Sequence, residues 1–377
     1  MSGTDTVRTG TVVTGLGIAL DGPATPADLL APRPVGGGSD PVARLKGRGL
    51  RYKDRATKLG MVAAREALAE AALIAADGSP TVPGASVGCV VSTNYGNVDT
   101  VCETVATIAR DTYVATSPMM LPATSSNVVA SWIAITHGLR GANLTLCNGP
   151  TSGLDAVHWA RLLIAAGRVE RALVVGVEPD NPAVRHLLPE QSVFFDGAAA
   201  LVLESAASAE ARGVRPLAEI GPYARRATHA AAVAGVRERD PREIGLWCVP
   251  QHPEGIKAPA PALGNGVGGA PVHDLSDLLG PSSGALGVLQ AVAATAWLSG
   301  AGAGARVVLA TAGTGDAGGD DAAAALVVAP VAAKRGNVPS EAAQAAEAAE
   351  AAEVSEVAGT AGAAGTAETA EAAGTVR

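Results

Sequence analysis

The chain has 377 residues, 48% of them hydrophobic but only 3% aromatic, so its core must be built from Ala, Val, Leu and Ile. That length suits one large or two fused α/β units. A net charge of −8 argues against nucleic acid or an anionic membrane surface as partner. No apolar run approaches the roughly 20 residues that cross a bilayer. The opening MSGTDTVRTG lacks a signal-peptide core. Cys89, Cys102, Cys147 and Cys248 lack metal-ligand spacing. The expectation is a cytoplasmic protein in a reducing compartment, with no metal and no cofactor.

In chain order, β-branched runs predict buried strands at Thr11–Thr14, Val87–Ser92, Ala172–Val177, Ala200–Leu203, Val307–Ala310 and Ala325–Ala329. Most are apolar on both faces, as when helices cover both sides of a sheet. Helical spacing of apolar residues marks Arg55 to Ala72, Val98 to Tyr113, Gly153 to Ala166 and Gly284 to Leu298. A short β-prone run ends at Cys147, and a Gly-Pro turn then leads to Thr151-Ser152-Gly153 at a helix start. Such strand–turn–helix junctions often mount a Cys or Ser, because a helix N-terminus lowers a thiol pKa and offers N–H groups to an oxyanion. Here Pro150 fills the turn, with neither a reactive atom nor an N–H. Ser282-Ser-Gly284 opens a helix in the same way further on, so a duplicated α/β architecture is expected. Ala224 to Gly269, with little periodicity and many Pro, Arg and Gly, is expected to loop over one face. After Pro330 the composition shifts to Ala and Glu without an apolar stripe, which predicts a solvated tail over 331–377.

Other reactive side chains have ordinary explanations. Cys147, three residues ahead of Pro150, is expected to point into packing. Thr151 and Ser152 are expected as N-caps. His158 is expected in packing or at the surface, and His137 as polar filler. His273-Asp274 is the one adjacent His–carboxylate pair in the sequence, but sequence neighbours do not face each other. His252 and Cys248 are too isolated to suggest a metal. Asp316 and Gly318–Asp321 read as a turn.

Taken together, the pieces resemble the β-ketoacyl synthase family of the thiolase fold over about residues 9–330. Val12-Val-Thr-Gly-Leu-Gly17 looks like its opening strand and turn, and Asp54 to Leu68 like its first long helix. Ser117-Pro-Met-Met-Leu-Pro122, with Asn127 and Ile133 to Leu139, resembles the dimer-face segment. Phe195-Asp-Gly197 and Ala200 to Glu204 resemble the end of the first half. The resemblance implies two similar α/β halves in a layered α-β-α-β-α arrangement, divided as 9–205 and 206–330 ahead of the tail.

Active members use a Cys at the buried helix N-terminus and two His residues that stabilise the enolate. The matching positions here are Pro150, Asn265 and Pro281, and the threonines that hold a pantetheine arm match Val267 and Gly269. The resemblance is therefore closest to a chain-length factor of a type II polyketide synthase. Such a subunit is catalytically silent, pairs with an active ketosynthase and meets the acyl carrier protein through that complex. In such subunits the helix before Ser117 crosses the dimer face and shapes the tunnel. Val101, Val105, Ile108, Ala109, Thr112, Tyr113 and Met120 are the candidate residues here; the same spacing also fits an ordinary core face. A thiolase-fold acyltransferase or cyclase using Cys147, Ser152 or His273 remains an alternative, as does a stand-alone interaction protein.

Overall fold

The computed structural model describes residues 10–31, 39–252, 267–300, 304–314 and 323–331. Its strands are β1 (Thr11–Leu20), β2 (Val87–Ser92), β3 (Asn143–Leu146), β4 (Arg171–Glu178), β5 (Gly197–Ser205), β6 (Ala218–Arg226), β7 (Ile244–Cys248), β8 (Val272–His273), β9 (Val307–Gly313) and β10 (Ala323–Ala329). They form one sheet in the order β3-β2-β4-β5-β1-β6-β10-β9-β7-β8. From the β1–β6 seam outward, each side runs first, fifth, fourth, second, third strand of its own set. The directions repeat too. The first, fifth and fourth strands pair antiparallel, and the fourth, second and third pair parallel, on both sides. Only Thr11, Val12 and Val13 pair across the seam, with Ile220, Glu219 and Ala218.

Because strand side chains alternate, each half of the sheet feeds two cores. In β10, Leu326 and Val328 enter a central core while Ala325 and Val327 enter an outer one. Helices α4 (Ser152–Ala165) and α9 (Leu286–Ser299) fill the centre, between the strands of both halves. Leu286 to Thr295 of α9 are all buried, which is why this helix is apolar on every face. Helices α1 (Arg55–Glu70) and α3 (Val128–His137) cover the first half from outside, through Leu59, Ala63, Ala67 and Ile133. Helix α7 (His229–Arg237) covers the second half, through Ala232, Val233 and Val236. The layers are α-β-α-β-α, the arrangement of the thiolase fold.

Two expectations are corrected. Gly15 and Gly17 lie inside β1, which runs on to Leu20, and not in a turn. A Cβ on them would sit 2.3 Å from the Ala67 carbonyl oxygen and 2.1 Å from that of Ala63, so these glycines let α1 lie directly on the strand. The supposed loop from Ala224 contains the end of β6, all of α7 and β7. Strand β6 was obscured by Pro222, which falls with Gly221 at a register shift opposite β10, where the lost N–H breaks no ladder bond. Helix α7 escaped because it is short and alanine-rich (HAAAVAGVR), with only Ala232, Val233 and Val236 as buried apolar residues. The 331–377 tail lies outside the described residues beyond Val331.

Candidate functional site

The two helix-opening turns meet at the centre of the molecule. After β3, Asn148 and Gly149 (φ 80°) lead into a 3-10 turn at Gly149–Thr151 and then α4. After Gly280 (φ 80°), a 3-10 turn at Ser283–Ala285 leads into α9. The helices touch backbone to backbone: a Cβ on Gly153 would lie 2.6 Å from Gly287 N, and one on Gly287 would lie 2.2 Å from Leu154 N.

Polar side chains from the strand ends hold both turns. Asn94, just past β2, accepts from Gly149 N (3.1 Å) and donates from Nδ2 to the Gly149 carbonyl (3.0 Å) and to Ser283 Oγ (2.8 Å). Glu178, the last residue of β4, is 3% exposed. Its carboxylate accepts from Asn94 N (2.7 Å), Tyr95 N (3.0 Å), Gly284 N (3.0 Å) and Thr93 Oγ1 (3.1 Å). Burial nevertheless pushes its pKa up to about 7, against the opposing pull of these donors. Ser92 Oγ donates to the Gly284 carbonyl (2.6 Å), and Gln251 Oε1 accepts from Ser283 N (2.6 Å). Asn94, Glu178 and Gln251 were not singled out in the sequence. The available signal was their place at the C-terminal ends of parallel strands, where open α/β sheets build sites.

Pro150 is half-buried in the first turn and Pro281 in the second. Val267 is buried in the outer core of the second half, and Gly269 is exposed with φ 75°. Asn265, Asp316 and Gly318–Asp321 lie outside the described residues. Cys147 corrects an expectation, because its thiol is exposed. It follows β3, the edge strand, and Sγ lies 3.6 Å from the Asn94 carbonyl oxygen. Partial burial, helped by the charge of Glu178, raises its pKa, the wrong direction for a nucleophilic thiol.

Thr151 and Ser152 are not N-caps in the expected sense, since α4 has no side-chain cap bond. Ser152 Oγ accepts from Asn148 N (2.8 Å) and reaches Asn94 Oδ1 (3.2 Å). Thr151 Oγ1 donates to Asp155 (2.9 Å), a 4%-exposed carboxylate that also takes hydrogen bonds from Asn148 and from Tyr223 of β6. His158 stacks on Tyr223, with ring centroids 4.2 Å apart, and burial lowers its pKa to about 3. His137 is buried, and burial lowers its pKa to about 4.

Helix α2 (Val98–Asp111) buries only Thr100. Val105 is 60% exposed, Ile108 44% and Tyr113 75%; Ala109 and Thr112 are exposed, and Met120 and Val101 are half-buried. Within this chain the stripe is not a core face. Val114, Met119, Leu121 and Ile135 of α3 add further exposed apolar surface nearby in the chain. His273 and Asp274 do not form a dyad. Asp274 pairs instead with His252, Nε2 to Oδ2 at 2.6 Å, while His273 has a backbone hydrogen bond with Leu29.

The fold and the paired turns are those of a thiolase-type protein, with Pro150 in the turn that opens α4. Residues 40–209 match the family described as "Beta-ketoacyl synthase, N-terminal domain". Among characterised proteins, the 3-oxoacyl-[acyl-carrier-protein] synthase 2 of Vibrio harveyi is 27% identical over 160 residues, 36% of this chain and 39% of that protein. The granaticin polyketide putative beta-ketoacyl synthase 1 of Streptomyces violaceoruber is 27% identical over 226 residues, 52% of each. The matched part thus spans about half or less of these relatives. The tetracenomycin polyketide synthase ketoacyl synthase alpha subunit of Streptomyces glaucescens is 28% identical over 64% of this chain and 68% of its own length. In three dimensions, the ishigamide ketosynthase/chain length factor aligns with a TM-score of 0.65 over 86% of this chain and all of that one, at 23% identity. A type II polyketide synthase acyl-carrier protein in complex with its ketosynthase bound to the hexaketide contains a chain that aligns with a TM-score of 0.69 over the same share, at 16% identity. The chain is thus similar to β-ketoacyl synthases over residues 40–209 and shares their fold.

Proposed function

We propose that this chain is a chain-length factor: a ketosynthase-like subunit without condensing activity of its own, which pairs with an active ketosynthase and forms part of the wall around the growing polyketide. The observation that carries this reading is Pro150. It stands in an otherwise complete strand–turn–helix mount, clamped by Asn94, where condensation needs a thiolate. The nearest thiol, Cys147, has its pKa raised instead of lowered. Pro281 in the second turn, and Val267 and Gly269 without hydroxyls, agree with a subunit that does not hold an acyl-pantetheine for chemistry.

The exposed apolar stripe of α2 supports the pairing, as does the outer edge of β3, which carries no further strand among the described residues. Contiguous exposed apolar surface marks an interaction site, and an open strand edge is a template for another chain. On this reading Val105, Ile108, Ala109, Thr112, Tyr113 and Met120 face the partner or its tunnel, and an acyl carrier protein reaches the pair through the ketosynthase. The chain divides at 205/206 into two ketosynthase-like halves.

Co-expression with type II polyketide ketosynthase subunits tests this. A stable one-to-one complex that elongates malonyl units, and a chain that alone turns over no acyl thioester, are the expected results. A monomer that turns over an acyl thioester by itself refutes the reading.

A further inference from the structure

We propose that His252, Asp274 and Asp277 form a divalent-cation site of the zinc class. His252 ends the described stretch after β7. Asp274 and Asp277 stand at the start of the short helix α8 (Leu275–Leu279). His252 Nε2 lies 2.6 Å from Asp274 Oδ2 and 3.9 Å from Asp277 Oδ1, and one donor atom from each residue falls within 4.8 Å of the other two. The set is mixed, one imidazole nitrogen with two carboxylate oxygens, which suits zinc, cobalt or manganese better than calcium.

Charge gives a second reason. Among the described residues the ion pairs of both carboxylates are with this one imidazole, whose side chain is only 10% exposed. Two carboxylates against one imidazole leave negative charge even when the ring is protonated. A dication would neutralise the set and release the ring proton. Donors about 2.0–2.1 Å from a tetrahedral ion stand ~3.3 Å apart. Reaching that requires the 2.6 Å pair to open slightly and the 3.9 Å pair to close slightly. Asp277 is 77% exposed, so its side chain is free to make the second movement. Asp274 can keep its other oxygen on Ser276 N, at 2.8 Å, which fixes the orientation of the ligating carboxylate.

The consequence is local. The ion would clip α8 to the chain leaving β7, one residue beyond Gln251, whose side chain holds Ser283 N in the turn that opens α9. The proposal does not depend on whether the chain pairs with a ketosynthase.

Cobalt(II) chloride titrated into the EDTA-washed, desalted full chain tests the proposal through its d–d absorption, followed by competition with zinc chloride. The expected result is one ion per chain without a thiolate charge-transfer band. Asp277→Asn, at an exposed position, should weaken binding by at least about tenfold with an unchanged circular dichroism spectrum. His252→Gln should do the same. Absence of stoichiometric uptake overturns the proposal. So does uptake indifferent to both substitutions, or a thiolate band that disappears in Cys102→Ser or Cys147→Ser.

Discussion

Gly287→Ala probes the crossing on which the double-turn arrangement depends. The new Cβ would lie 2.2 Å from Leu154 N, 2.6 Å from Gly153 C and 2.9 Å from Leu154 Cγ. Carbon atoms pack at about 3.5–4.0 Å, so α4 and α9 must separate by more than an ångström. Both helices sit in the central core, where neighbouring residues are fully buried and no flexible side chain can absorb the shift. Overpacking of this kind costs about 1–3 kcal/mol, occasionally more, and two opposed backbones place it at the upper end. Replacing a helical glycine by alanine returns up to ~1 kcal/mol of helix propensity. The net expectation is a loss of about 2 kcal/mol or more, read as a lower urea midpoint at unchanged slope. Gly49→Ala is the control, since its Cβ would meet only the end of the Lys53 side chain at 3.8 Å. If Gly287→Ala stays within about 0.5 kcal/mol of the parent, the range of ordinary surface changes, the direct helix contact is refuted.

The pKa of Glu178, raised to about 7, means that its proton favours the fold. This contribution is complete below pH 4.5 and is lost as pH rises through about 7, on the order of 3 kcal/mol. Glu178→Gln should therefore remove part of the stability loss between pH 5 and pH 8, and an unaltered profile would contradict the assignment. His158 acts oppositely. With a folded pKa of about 3, it contributes stability above pH 6.5 that is lost as pH falls toward 3, so His158→Phe should blunt acid unfolding in that window. Arg171→Met removes one of the cations beside Glu204, which is fully buried and also pairs with Arg212. A loss of about 3 kcal/mol in denaturant titration is expected for a buried charge left short of a partner. On the functional reading, Ile108→Trp in the reconstituted pair should shorten the product. Unchanged product length by mass spectrometry would remove α2 from the tunnel.

Much of the fold was legible where burial was two-sided. Val87–Ser92 matched β2 at both ends, and Ala172–Val177, Ala200–Leu203, Val307–Ala310 and Ala325–Ala329 each fell inside an observed strand. Continuous apolar runs leave little ambiguity when both faces are covered. Strand β6 and helix α7 were not legible. A proline at a bulge and a short alanine-rich helix carry weak or misleading local signals, and only their neighbours explain them. At the site, Pro150 and Pro281 could be read directly, because losing a reactive atom is visible in a residue's identity. The clamp of Asn94, Glu178 and Gln251 was not visible, since its members lie far apart in sequence and meet only where strand ends converge.

The sequence by itself determined the alternating apolar segments, and with them a layered α/β molecule whose helix-opening turn carries proline. Those properties follow from residue type and short-range periodicity. Tertiary structure decided which face of each element is covered. It left the α2 stripe exposed and exposed Cys147 beside the edge strand. It also placed Asp274 against His252 instead of its sequence neighbour His273. Each of these outcomes depends on atoms brought together by long-range strand order, which no local pattern encodes.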